Sequence, residues 1–125
     1  MLKMKKLLLL LFSLMVSFNS YAGWKKVGED ALSDYYFDKS LIKERDGYVY
    51  WWVLLDGLKP SPDGYLSYKI YKQGNCRTNQ FLTLKAVWYK DSMARGSGDT
   101  VIRKYTWTTP AFLFDDLKTV CKYIK

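Results

Sequence analysis

The sequence is 125 residues long, with 20 Lys and Arg against 12 Asp and Glu, no histidine, and a net charge of +8. A chain of this length has room for one domain with a modest core. Without histidine it lacks the commonest general base and the commonest neutral metal ligand.

The first six residues carry Lys3, Lys5 and Lys6. An apolar run follows from Leu7 to Phe12 and continues through Leu14, Met15, Val16 and Phe18. Asn19-Ser20-Tyr21-Ala22-Gly23 closes it with small residues three and one before Ala22/Gly23. Positive, apolar and small-residue regions in that order predict a signal peptide over residues 1–22. The apolar run is shorter than the roughly 20 residues of a spanning helix, and Ser13, Ser17 and Asn19 interrupt it. Cleavage is expected, not a retained anchor. No cysteine precedes Cys76, so no lipid anchor is expected. The product is a single domain of residues 23–125, in the periplasm or on the extracellular or outer-membrane surface. Loss of Lys3, Lys5 and Lys6 takes the net charge from +8 to +5. For an exported domain this basic surface suits polyanionic glycans, lipid headgroups or acidic proteins better than nucleic acid, and the plainer alternative is that the lysines only keep the domain soluble.

Trp24 to Val27 reads as a first strand, broken by Gly28-Glu29-Asp30. Tyr35-Tyr36-Phe37 is a second, and Asp38-Lys39-Ser40 a turn. Leu41 to Arg45 leads into Asp46-Gly47, a strong hairpin signal. Tyr48 to Asp56 is the most β-like segment, apolar at both parities, so both of its faces are expected to be covered at least in part. Gly57 to Gly64, with Pro60, Pro62 and Asp63-Gly64, is a loop. Tyr65 to Lys72 alternates: Leu66, Tyr68 and Ile70 on one side, Tyr65, Ser67, Lys69 and Tyr71 on the other. Gly74-Asn75 signals a turn. Cys76 opens a long strand to Tyr89, with a bend at Asn79-Gln80. Asp91 to Asp99 is a loop, and Val101 to Thr108 another strand.

Thr109-Pro110 suits the start of a helix, Thr as N-cap and Pro at the first position. Leu113, Leu117, Val120, Cys121 and Ile124 then share one stripe. Asp115 and Asp116 lie near the positive end of the helix dipole, and Lys118, Lys122 and Lys125 near the negative end. The expected fold is α+β: an antiparallel meander of about six strands with a C-terminal helix packed on one face. Cys76 and Cys121 are expected to pair in an oxidising compartment and tether that helix to the sheet.

No active site emerges. Ser40-Leu41-Ile42-Lys43 matches S-x-x-K, but the other motifs of that enzyme class are absent and the chain is far too short. Two cysteines are too few for a zinc site. Gly96-Ser97-Gly98 lacks the lysine of a phosphate loop. No catalytic residue, metal or cofactor is expected.

The aromatic content stands out: five tryptophans and eleven tyrosines. Burial on one face cannot hide them all. Tyr48, Tyr50 and Trp52 share one side of their strand, and Tyr65, Lys69 and Tyr71 share one side of the next. Cross-strand packing that covers the second face accounts for many of them. The sharper expectation is a binding surface formed by Tyr48, Tyr50, Trp52, Tyr65, Lys69 and Tyr71, with Lys85 and Lys90 near it. Tyr and Trp are enriched at such interfaces. The partner is a protein or polyanionic glycan; alternatively the face is a homodimer interface of an envelope-maintenance protein.

The ordered set Trp24, Tyr35-Tyr36-Phe37-Asp38-Lys39-Ser40-Leu41-Ile42-Lys43, Gly47-Tyr48-Val49 and Trp52-Val53-Leu54-Leu55-Asp56 resembles the surface-adhesin protein E family of Gram-negative bacteria. Ser67-Tyr68-Lys69, Cys76, Tyr89, Trp107 with Pro110, and Val120-Cys121 extend the resemblance over nearly all of residues 23–125. It implies an antiparallel sheet, a disulfide-tethered C-terminal helix and a non-enzymatic envelope protein. It also implies adhesion to host matrix and serum proteins, and dimer formation. The sequence departs from the family's namesake in two places: it has no lipoprotein cysteine, and Ala111-Phe112 follow Pro110 where Gly-Ser is expected.

Overall fold

The computed structural model describes residues 23–110 and 114–124; the expected signal peptide and Leu113 lie outside the described residues. Among the described residues seven strands form one antiparallel sheet: β1 (Trp24–Glu29), β2 (Ser33–Asp38), β3 (Lys43–Arg45), β4 (Tyr48–Gly57), β5 (Ser67–Asn75), β6 (Gln80–Tyr89) and β7 (Asp99–Val101). The order across the sheet is β1-β2-β4-β5-β6-β7, and β3 also pairs with β4. β2 pairs with the end of β4 and β3 with its start, so the two line the same side of β4 as one strand interrupted by a 3-10 turn at Lys39–Leu41. The Asp38 carboxylate caps that turn by accepting from the Ser40 amide. At Asp46-Gly47 both residues have positive φ, +55° and +83°, the signature of a two-residue hairpin turn.

Helix α1 (Asp116–Tyr123) packs on one face of this meander. Leu117 and Val120 enter a core made of Tyr35, Phe37, Val49, Trp51, Val53 and Phe81. The Cys76–Cys121 disulfide joins the helix to the β5–β6 turn. Its closed loop is long, with a sequence separation of 45, so the constraint acts chiefly on the unfolded chain. The α+β architecture, the helix on one face and the disulfide are therefore as the sequence implies.

The buried face also holds an ion pair. Lys72 Nζ donates to Asp116 Oδ2 at 2.8 Å, and Trp51 Nε1 donates to the same oxygen at 3.2 Å. Lys72 and Asp116 are both buried, and Lys72 also lies over the Phe81 ring. A buried ammonium needs this partner, because an unpaired charge in the interior is strongly unfavourable.

Several local expectations need correction, beginning with β1, which runs through Gly28 to Glu29. Gly74 lies inside β5, not in a turn. A Cβ there would come within 2.5 Å of Leu117 and 2.8 Å of Trp51, so helix packing demands the glycine. The turn comes later, where the Asn75 side chain accepts from the amides of Arg77 and Thr78. Cys76 therefore sits in that turn and β6 starts at Gln80.

The strand expected over 101–108 shrinks to β7. A bulge in the β5–β6 ladder bends β6 beside Leu84. β7 pairs only beyond it, with Ala86 to Trp88. Farther along, a lone bridge joins Thr108 to Phe81.

The helix begins at Asp116, not after Thr109-Pro110. Asp115 is the N-cap, accepting from the Lys118 amide at 3.0 Å. Phe114 precedes it and packs on Tyr35 at 4.8 Å between ring centroids. That anchor fixes where the helix can start.

Candidate binding surface

The face of the sheet away from α1 is divided in two. At one end the β6–β7 connection folds across it. Ser67 Oγ donates to the Asp91 carbonyl and accepts from the Ala94 amide, and Met93 N donates to Asp56 Oδ1 at 2.9 Å. Met93 and Ala94 hold left-handed φ values of 57° and 53° to make these bonds. Leu54 and Ser67, on the same side of β4 and β5, are fully buried. At the other end nothing comparable covers the sheet among the described residues. There Tyr48, Tyr50 and Trp52 on β4 lie beside Lys69 and Tyr71 on β5, all partly exposed.

These side chains form a row. Tyr71 lies between Tyr50 and Trp52, at ring-centroid distances of 6.3 and 4.9 Å and interplanar angles of 30° and 28°. A cation lies over each outer ring: Arg45 over Tyr50 at 4.7 Å, and Lys69 over Trp52 at 5.2 Å. Cation and ring attract through the ring quadrupole, so the row holds its own shape before any partner arrives. Lys43 faces Tyr50 and Lys85 faces Tyr71 in the strand register, which adds two exposed cations. No carboxylate occupies the register positions of this open half.

Of the six side chains expected on this surface, Tyr48, Tyr50, Trp52, Lys69 and Tyr71 share the open half. Tyr65 does not. Its ring packs edge-on to Trp88 at 5.3 Å, and its hydroxyl donates to Asp99 Oδ2 at 2.8 Å. Trp88 is opposite Tyr68 and Asp99 in register and so lies on the helix side. β5 starts at Ser67, so strand alternation does not extend back to Tyr65. The bond to Asp99 raises the pKa of the Tyr65 hydroxyl.

Arg45, Lys43 and Trp107 were not among the expected surface residues. The hairpin at Asp46-Gly47 fixes Arg45 opposite Tyr48 and Lys43 opposite Tyr50, so the turn carried the signal for the first two. Trp107 reaches Tyr48 at 5.8 Å from outside any strand, and no sequence period indicates that contact. Ser40 of the S-x-x-K match gives its hydroxyl to Asp38 Oδ1 at 2.6 Å and serves the 3-10 turn. Among the described residues no cluster of three or more Cys, Asp and Glu could hold a metal ion.

The model of the surface-adhesin protein E family matches residues 24–115. The chain belongs to that family. Its fold is that of Haemophilus influenzae protein E. Crystal form II of that protein superposes with a TM-score of 0.62 at 17% identity, covering 82% of this chain and 89% of that one. A structure from non-typeable Haemophilus influenzae gives a TM-score of 0.58 at 17% identity, covering 82% and 75%. No curated protein matches the sequence. Family membership makes this an exported protein of adhesin type. Among the described residues no helix is long and apolar enough to cross a membrane.

Proposed function

We propose that residues 1–22 are removed on export and that the remaining domain is a non-enzymatic binding protein of the cell envelope. Its partner surface is the open half-face of Tyr50, Trp52, Tyr71, Arg45 and Lys69. The observation that carries this reading is the row itself: partly exposed aromatics, cations at both ends and no acid among them. Aromatic rings supply contact area at little entropic cost, and the cations select the sign of the partner. An acidic protein surface or a polyanionic glycan fits both features. The name of the family favours the same reading.

The test uses purified residues 23–125. The protein is sized by light scattering, then passed over immobilised heparin and over extracellular-matrix proteins at increasing salt. The expected result is a monomer whose retention falls as salt rises, because exposed charges are screened. A stable dimer in which Trp52 and Tyr71 are shielded from solvent contradicts the proposal and makes the face a self-interface. Protease treatment of intact cells separates surface display from a periplasmic location.

A further inference from the structure

Beyond the cationic row, at the edge of the same face, a hollow of about 250 Å³ is lined by Tyr48, Asn75, Thr78, Gln80 and Trp107. We infer that this hollow is a separate binding site for one neutral pyranose ring, as at the end of a glycan chain. The lining has two aromatic rings, two primary amides and one hydroxyl, and no charged side chain. A pyranose has an apolar C–H face and a rim of hydroxyls that both donate and accept. The ring faces match the first, and amides, which donate and accept side by side, match the second.

The geometry supports each part. Trp107 is 40% exposed, and its ring lies 5.8 Å from Tyr48 at an interplanar angle of 35°, so the two form a bent apolar wall. Thr108 anchors the neighbouring backbone by a pair of bonds to Phe81, at 2.8 and 2.9 Å, which fixes the main chain beside the indole without a ligand. Asn75 Oδ1 is occupied by the amides of Arg77 and Thr78, at 3.0 and 3.3 Å, which orients its Nδ2 donor. Gln80, opposite Asn75 in the ladder, is exposed beside it. Sites that enclose drug-sized ligands span roughly 300–1,000 Å³. The present hollow is smaller, and suits one ring with weak affinity.

This inference does not rest on the cationic row, and its test separates the two. The 15N-labelled protein of residues 23–125 is titrated with the methyl glycosides of glucose, galactose, mannose and N-acetylglucosamine at millimolar concentration. The expected result is that at least one glycoside shifts the Trp107 indole and Gln80 side-chain resonances and leaves the buried Trp51 indole unmoved. Gln80→Ala should weaken that response roughly fivefold, the worth of one hydrogen bond, and Trp107→Leu should abolish it. Lys69→Glu should leave the sugar response intact while reducing retention on heparin. No shift with any of the four glycosides overturns the site. A shift unchanged by Gln80→Ala overturns it too, because the sugar is then bound elsewhere. A response to adenosine with none to the glycosides replaces the sugar by a base and equally overturns it.

Discussion

Trp51 and Trp52 are neighbours on β4, yet they live in different surroundings. Trp51 points to the helix side, has 0% of its surface exposed, and donates its indole N–H to Asp116. Trp52 points the other way, stays partly exposed, and lies between Tyr71 and Lys69. The helix side closes with three devices: apolar packing, a buried ion pair and a disulfide. The other side has a loop over one end and only a self-supporting row of rings over the rest. Composition alone does not make a surface functional. What decides it is which aromatics remain uncovered once the chain has used its helix and its β6–β7 loop.

The largest expected effects lie on the helix side. Asp116→Ala strands the buried Lys72 ammonium and should destabilise the fold by about 3–5 kcal/mol. Replacing both residues, as in Asp116→Leu with Lys72→Met, should recover most of that loss in denaturant titrations. Exchange of Cys76 and Cys121 for serine removes the long cross-link and should cost about 4 kcal/mol, read as a large fall in Tm. Equal melting of that double variant and its parent under oxidising conditions would show that the tether is not structural. Gly74→Ala drives a methyl group into Leu117 and Trp51 and should cost about 1–3 kcal/mol.

A smaller effect depends on pH. The hydrogen bond from Tyr35 holds the Asp30 carboxyl below its ordinary range. Its folded pKa is therefore lower than its unfolded one. The stability it contributes is present above the usual carboxylate range and is lost as pH falls through the lowered value. Melting curves of the parent and Asp30→Asn should differ near neutral pH and converge on acidification. A difference that persists in acid would put the effect in the Asx turn at Leu32 and Ser33 instead. The smallest stability change is expected on the open half. Lys69→Glu with Lys85→Glu should leave Tm nearly unchanged, as surface substitutions usually do.

Much of this architecture can be read from the chain. Asp46-Gly47 fixes a hairpin by local backbone preference alone, and the parity of β4 and β5 places five of the six expected surface residues. Two lone cysteines in an exported domain imply their own pairing. The features that escaped depend on long-range contacts. Gly74 resembles a turn residue until the helix arrives above it. Asp116 resembles a dipole partner until Lys72, which shares the parity of Ile70, is seen to need a carboxylate. Tyr65 departs from the surface because its strand starts two residues later than the alternation suggests. Trp107 belongs to no strand and is followed only by the lone bridge of Thr108 to Phe81.

The central claim is that the open aromatic-basic half-face, and not basic charge in general, engages the partner. A charge-matched exchange tests it directly. One variant carries Lys69→Glu and Lys85→Glu on the open face; the other carries Lys118→Glu and Lys122→Glu, both exposed on α1. Both change the net charge equally, and both are run over immobilised heparin at the same salt. The account predicts that the first variant loses retention and the second keeps most of it. Equal loss in both, or loss in the helix variant alone, would contradict it.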